Sequence, residues 1–317
     1  MALALDFMAL LAAEQAAQRK RSAPATAAGS ASAASESQAA AAAAATTTTT
    51  TMTTTSASVE AHPALGESSL RELAGVARGS GASGPAGETL ASAPMQKVVV
   101  HNEFLSAACE ADLLRCVLSP VYEASGRWVR LRGRRLLQFG GTPMPGPRLL
   151  GREPLPPWLG AVVDRLVATG AFPEDKRPNH VLVNAYGPGE GILPHTDGPL
   201  YFPCTATLSL GSDAVMRFAP RVPSELVGTS SQSHLEAAKS FDAGLARRSL
   251  VVFSDEAYTS ALHDVAAVGE HRVTAKCLNA ASLGWAEGSL IPRAPLRVSL
   301  TMRHVPAVKG ATSPKAL

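Results

Sequence analysis

The sequence predicts a mainly β protein with flanking α-helices (an α+β fold), built as a β-sandwich or jelly roll behind a disordered N-terminal tail. Three observations carry this. Helical signals fall early in the foldable part, over residues 106–118 and 157–170. From residue 180 onward the chain breaks into short, turn-bounded, β-branched-rich runs at 181–186, 205–210, 214–218, 249–253 and 298–302. Residues 23–93, by contrast, are mostly Ala, Ser, Thr and Gly, with an unbroken Thr run over 46–51. They lack the large apolar side chains that offset the entropy of ordering. Helices first and strands after them suggest stacked strands with helical support.

Residues 1–21 differ from the tail behind them. Leu3, Phe7, Leu10 and Leu11 share one helical face, and Arg19, Lys20 and Arg21 follow. The apolar part is too short to span a bilayer, so no membrane partner is expected. Its positive charge follows the apolar run, the reverse of a secretory peptide, and Asp6 and Glu14 argue against a mitochondrial presequence. Three readings stay open, in this order: a short amphipathic helix that docks a protein partner, a segment without function, and a targeting peptide. The basic triplet fits nuclear import. Residues 22–95 then form the tail, 96–308 one domain, and 309–317 a flexible C-terminal end. A net charge of +3 does not by itself imply a nucleic-acid partner. Cys109, Cys116, Cys204 and Cys277 have no C-x-x-C spacing, as expected of reduced thiols in the cytoplasm and nucleus.

Within the domain, Ser106 can cap a helix whose Leu113, Leu114, Val117 and Leu118 point inward, with Pro120 stopping it. Residues 127–135 hold five arginines, Arg127, Arg130, Arg132, Arg134 and Arg135, partly alternating with Trp128, Val129 and Leu131. That spacing suits a strand with one basic face, either a solvated edge or a phosphate-contacting surface. A Gly/Pro-rich loop over 140–157 leads to a helix with Pro157 at its first position, Trp158, Val162 and Leu166 on one stripe, and Gly170 past its end. Polar insertions at 220–247 and 267–294 interrupt the strands that follow.

The chemistry concentrates at both ends of this β region. Residues 180–201 read as a strand, a Gly/Pro turn, then His195 and Asp197 one residue apart. With 8 His and 9 Asp in the chain, chance alone supplies roughly 0.2 such H-x-D pairs, so the pair needs support. One more histidine would complete the two-His-one-carboxylate set that holds Fe(II) on one face and leaves open positions. Three histidines compete. His234 lies in a polar insertion, His271 stands between Glu270 and Arg272 as if facing solvent, and His263 follows the apolar run 249–253, which favours it. In the last strand, Arg297, Ser299, Thr301 and Arg303 share one face and Val298, Leu300 and Met302 the other. The polar face either meets water at a sheet edge or lines a barrel holding an anion, for which an arginine fork is a natural clamp.

Taken together, N-x-Y (Asn184, Tyr186), P-G-x5-H-x-D-G (188–198), a distal histidine and R-x-S-x-T-x-R (297–303) resemble the AlkB-homologue family of Fe(II)- and 2-oxoglutarate-dependent dioxygenases. The resemblance covers residues 98–308 and is densest over 179–210, where it is most similar to the family's sixth-homologue branch. It implies a double-stranded β-helix (jelly-roll, cupin-like) core. It further implies Fe(II) bound by His195, Asp197 and His263, and 2-oxoglutarate hydrogen-bonded by Asn184 and Tyr186 with its far carboxylate on Arg297. Arg303, six residues on and thus about 20 Å along an extended strand, ranks as a flank. Ser299 stands where many members carry Asn, removing one amide contact. The insertion after Ala267 lengthens the gap from His263 to Arg297 to 34 residues, and His271 stays in competition for the third ligand position.

The implied reaction oxidatively decarboxylates 2-oxoglutarate with O2, giving succinate and CO2, and hydroxylates a C–H bond; on an N-methyl carbon the result is demethylation with loss of formaldehyde. The implied substrate is alkylated nucleic acid, RNA or DNA, presented as a single strand or a flipped base, with Arg127 to Arg135 as candidate phosphate contacts. A protein hydroxylase or demethylase on the same core, or a non-catalytic binding module retaining the fold, are the alternatives.

Overall fold

Caps and prolines set the helices. In the computed structural model, which describes residues 62–75, 87–92, 95–144, 148–150, 153–222 and 239–308, Ser106 caps helix α2 (Ala107–Val117), its Oγ accepting from the Cys109 N–H at 3.1 Å. Pro120 does not merely stop this helix: with Ser119 as cap it opens the short α3 (Pro120–Ala124). Pro157 likewise opens α4 (Pro157–Ala168), which buries Trp158, Val162 and Leu166, and Gly170 follows at φ +77°.

One helix precedes these, and one strand, where disorder is expected. Residues of the 22–95 tail form α1 (Glu67–Gly75) and β1 (Glu88–Ser92). Helix α1 buries Leu73 in the core, and Arg165 of α4 donates to the Glu72 carbonyl at 2.7 Å. Strand β1 pairs with β2 (Met95–His101), which puts Leu90 in an apolar cluster. The folded unit therefore begins well before residue 96. A few leucines are enough here because each docks onto a surface the domain already provides. The helix expected over 1–21, the tail's remainder, His234 and residues 309–317 lie outside the described residues.

The remaining strands are β3 (Val129–Arg130), β4 (Arg135–Phe139), β5 (Thr142–Met144), β6 (Arg148–Leu150), β7 (His180–Tyr186), β8 (Ile192–His195), β9 (Cys204–Leu210) and β10 (Ala214–Pro220). After them come β11 (Phe241–Leu245), β12 (Leu250–Ser254), β13 (Ala261–Val265), β14 (Glu270–Arg272), β15 (Leu290–Pro292) and β16 (Arg297–Arg303), with the short helix α5 (Asp255–Thr259) between β12 and β13. The expected 140–157 loop contains the β5–β6 hairpin, and the expected polar insertion over 220–247 contains β11.

An eight-stranded sheet runs β1-β2-β12-β9-β16-β7-β4-β3, and a four-stranded sheet runs β11-β10-β13-β8. From β7 to β10 the chain alternates between the two, and after β11 it alternates again through β12, β13 and β16. That winding makes a double-stranded β-helix. Alternation then sorts the side chains. Val181, Val183 and Ala185 of β7 and Val298, Leu300 and Met302 of β16 pack outward on α1, α2 and α4. Between the sheets, Val98, Val100, Val251, Phe253, Phe218 and Phe241 belong to a second, apolar cluster. Among the described residues no helix is long and apolar enough to cross a membrane, and all four cysteines are free and buried.

Candidate functional site

The barrel's polar interior follows from register. Strand β16 pairs with β7 so that Arg297 faces Tyr186 and Ser299 faces Asn184. It pairs with β9 so that Ser299 faces Ser209 and Thr301 faces Thr207. Directly opposed residues share a face, so Asn184, Tyr186, Thr207, Arg297, Ser299, Thr301 and Arg303 line one cleft, together with His195, Asp197 and His263. The edge-strand alternative for β16 is excluded, because β7 and β9 flank it.

His195 ends β8 directly opposite His263 of β13, their ring centroids 4.3 Å apart. Ligand atoms of His195, Asp197 and His263 all lie within 4.8 Å of one another, and all three residues are buried. His271, in contrast, sits away from them in the β14–β15 hairpin beside Arg293 (3.4 Å). It is buried rather than solvent-facing.

Neighbours fix each of the three. The Leu193 carbonyl accepts from His195 Nδ1 at 2.7 Å, which leaves Nε2 for the cluster. Phe253 and Phe218 flank the His263 ring. Asp197 accepts from Thr205 Oγ1 at 2.5 Å and from the Arg303 guanidinium at 2.9 Å. Burial, with His263 beside it, pushes His195 down to about 3, and burial also lowers His263, so both imidazoles are neutral. Burial alone would push the Asp197 carboxyl up, but the Arg303 guanidinium, with the Thr205 hydrogen bond, outweighs it and holds the group ionised. Two neutral imidazoles and one carboxylate suit a divalent cation such as Fe(II).

Arg297 is fully buried at the Tyr186 end of β16, 5.4 Å from that ring, and donates to Ser209 Oγ at 3.0 Å. Its Nε lacks a hydrogen-bond partner, and among the described residues no carboxylate pairs with it. Burial lowers it to about 10. An uncompensated guanidinium in a polar cleft is what an anionic cosubstrate would neutralise. Arg303 is better understood as the partner of Asp197 than as a flank to Arg297.

The five arginines do not form one basic face. Strand β3 is only two residues long, and a tight turn joins it to β4. Arg127 pairs with Glu153, Arg130 with Glu190 and Arg135 with Glu123, while Arg134 is wholly buried. Arg132 is exposed and lines a second cleft with Gly133 and Glu190. Sequence reasoning missed Thr205 and Tyr258, whose hydroxyl donates to the Gly198 carbonyl at 2.7 Å just past Asp197, and it read Arg134, which is buried, as a phosphate contact. The alternating Thr205, Thr207 and Ser209 of β9 are the signal that could have revealed the first.

Buried imidazoles also set an acid limit on the fold. Burial, reinforced by Arg303, lowers His180 to about 3, and burial with Arg293 and Arg297 lowers His271 to about 4. Above about pH 6.5 these groups are neutral whether folded or not. As the pH falls below that, the unfolded chain binds protons the fold refuses, and stability declines until the folded groups titrate. His180 stacks on Tyr201, so His180→Phe should preserve packing and remove one such proton. Urea midpoints at pH 7 and pH 5 should then show the parent losing up to about 2 kcal/mol more than the variant.

Comparison with known proteins agrees with this geometry. The model of the 2OG-Fe(II) oxygenase superfamily matches residues 148–303. A Danio rerio protein named probable RNA/DNA demethylase ALKBH6 is 38% identical over 208 residues, covering 65% of this chain and 84% of that relative. The Arabidopsis thaliana RNA demethylase ALKBH9B is 29% identical over 126 residues, 36% of this chain and 24% of its own. Among solved structures, OsALKBH1 aligns over 66% of this chain and 98% of its own at a TM-score of 0.42 and 14% identity. With a relative this similar along most of its length, and with the double-stranded β-helix and its His-Asp-His cluster in place, the chain belongs to the AlkB-homologue family of dioxygenases, enzymes that use Fe(II), 2-oxoglutarate and O2.

Proposed function

We propose that this chain is an oxidative demethylase of alkylated nucleic acid. His195, Asp197 and His263 would hold Fe(II), and Asn184, Tyr186 and Arg297 would hold 2-oxoglutarate, with Ser299 lining its bed and Arg303 fixing Asp197. The observation that carries the reading is the buried His-Asp-His cluster sharing one cleft with an Arg297 that no carboxylate neutralises among the described residues. When bound, the metal with 2-oxoglutarate and O2 supplies the oxidising power that hydroxylates a C–H bond and, at an N-methyl carbon, releases formaldehyde. The chain's own part is to present three neutral or anionic ligands on one side, grip a dicarboxylate on the other, and hold the His263 ring between Phe218 and Phe253.

For the substrate, support comes from the names of the relatives and from the second cleft. That cleft meets the metal cleft at Ile192, Asp264 and Val265 and is walled by Leu193, Pro194 and Ala266. A base would reach it as a single strand or flipped from a duplex. With Arg127, Arg130 and Arg135 engaged by carboxylates and Arg134 buried, phosphate contact falls to Arg132 at the cleft. Cytoplasmic and nuclear residence, and docking of a protein partner by residues 1–21, belong to the same proposal and rest on the sequence alone.

The test is succinate release by the Fe(II)-loaded full chain with N-methylated single-stranded RNA, single-stranded DNA, duplex and a methylated peptide. Stimulation by a nucleic acid supports the proposal; stimulation by the peptide alone moves the chain to the protein-modifying class. Arg132→Glu should weaken oligonucleotide binding several-fold and flatten its salt dependence by about one counterion. Unchanged affinity and slope would remove Arg132 from the interface.

A further inference from the structure

Asn184 is a candidate cosubstrate residue with an amide that could in principle face either way. Its surroundings allow one orientation. The β3–β4 turn is held against the Gly189–Gly191 turn: the Gly191 N–H donates to the Gly133 carbonyl at 3.1 Å, and Arg130 pairs with Glu190 at 2.6 Å. Only glycine permits this approach, since a Cβ on residue 133 would lie 2.8 Å from the Gly191 carbonyl oxygen. Within the turn the Leu131 N–H donates to the Arg134 carbonyl at 2.8 Å. The next side chain after Gly133, Arg134, is thereby carried inward and is fully buried, its Nε 3.0 Å from Asn184 Oδ1. Arginine only donates. Asn184 must therefore turn its oxygen to Arg134, which leaves its NH2 for other acceptors.

We infer that Arg134 is a positioning residue: it locks the Asn184 amide so that its NH2 faces the metal cleft and donates to 2-oxoglutarate. The inference rests on the cosubstrate reading above. It also removes Arg134 from the set of phosphate contacts and gives the arginine-rich turn an internal task. Without the lock, Asn184 can present its oxygen to an anionic ligand and repel it.

The test is calorimetric titration of 2-oxoglutarate into the Mn(II)-loaded full chain, a binding readout that requires no turnover. Arg134→Met, which keeps the side-chain length and loses the donors, should weaken binding about tenfold, as should Asn184→Ala. The double variant Arg134→Met/Asn184→Ala should bind within about twofold of Asn184→Ala, because both changes remove the same interaction. Losses that multiply, or an Arg134→Met protein that binds like the parent, would overturn the inference. If Arg134→Met does not fold, Asn184→Asp decides. It keeps an acceptor for Arg134 but loses the donors, so parental affinity would overturn the inference. A parent protein that binds no 2-oxoglutarate would instead defeat the cosubstrate reading itself.

Discussion

His195→Ala should abolish turnover: succinate released by the Fe(II)-loaded protein falls by more than about 100-fold, and Fe(II) affinity falls with it. Changes to residues that merely support a metal ligand cost about 10–100-fold, so loss of a ligand should exceed that range. The imidazole is placed as a ligand. Its Nδ1 is spent on the Leu193 carbonyl, its Nε2 faces Asp197 and His263, and it is neutral in the fold. The variant should therefore stay folded, as circular dichroism and a urea midpoint near the parent's would show. Parental succinate release in a folded His195→Ala protein would sink the metal assignment, whatever happens with nucleic acid.

Much of this centre is legible in the chain because it follows from strand periodicity. The alternation in 297–303 places Arg297, Ser299, Thr301 and Arg303 on one face before any partner strand is known. Pairing with β7 and β9 then decides that this face is interior. His263 could be preferred over His271, but not fixed, because what selects it is a long-range pairing of β13 with β8 that no local pattern records. The arginine-rich run misleads for a related reason. Period-two alternation reads as a strand with a solvated face, while the actual chain makes a turn at Gly133 that sends Arg134 inward and leaves its neighbours to separate carboxylates. Composition misleads at α1 and β1, where Leu73 and Leu90 fold onto surfaces contributed by residues far along the sequence.

Arg303→Met should cost the metal-free protein about 3–5 kcal/mol of folding stability, and the metal-loaded protein clearly less. Arg303 and Asp197 are both almost wholly buried at 2.9 Å, so removing the guanidinium leaves a carboxylate in the interior whose remaining neighbours include the Thr205 hydroxyl and two neutral imidazoles. A divalent cation held by Asp197 would supply positive charge at the same carboxylate and recover part of the loss. Urea unfolding with and without Mn(II) separates this from simple packing, because the stabilisation conferred by the metal should be larger in the variant than in the parent. Arg303 also lies over the Tyr201 ring at 4.3 Å, a contact a metal cannot replace. If both forms of Arg303→Met lose equal stability, that packing is what Arg303 contributes. A larger metal increment in the variant would instead mean that one carboxylate serves two cations in turn: the arginine keeps Asp197 ionised while the fold is empty, and the metal shares it when bound.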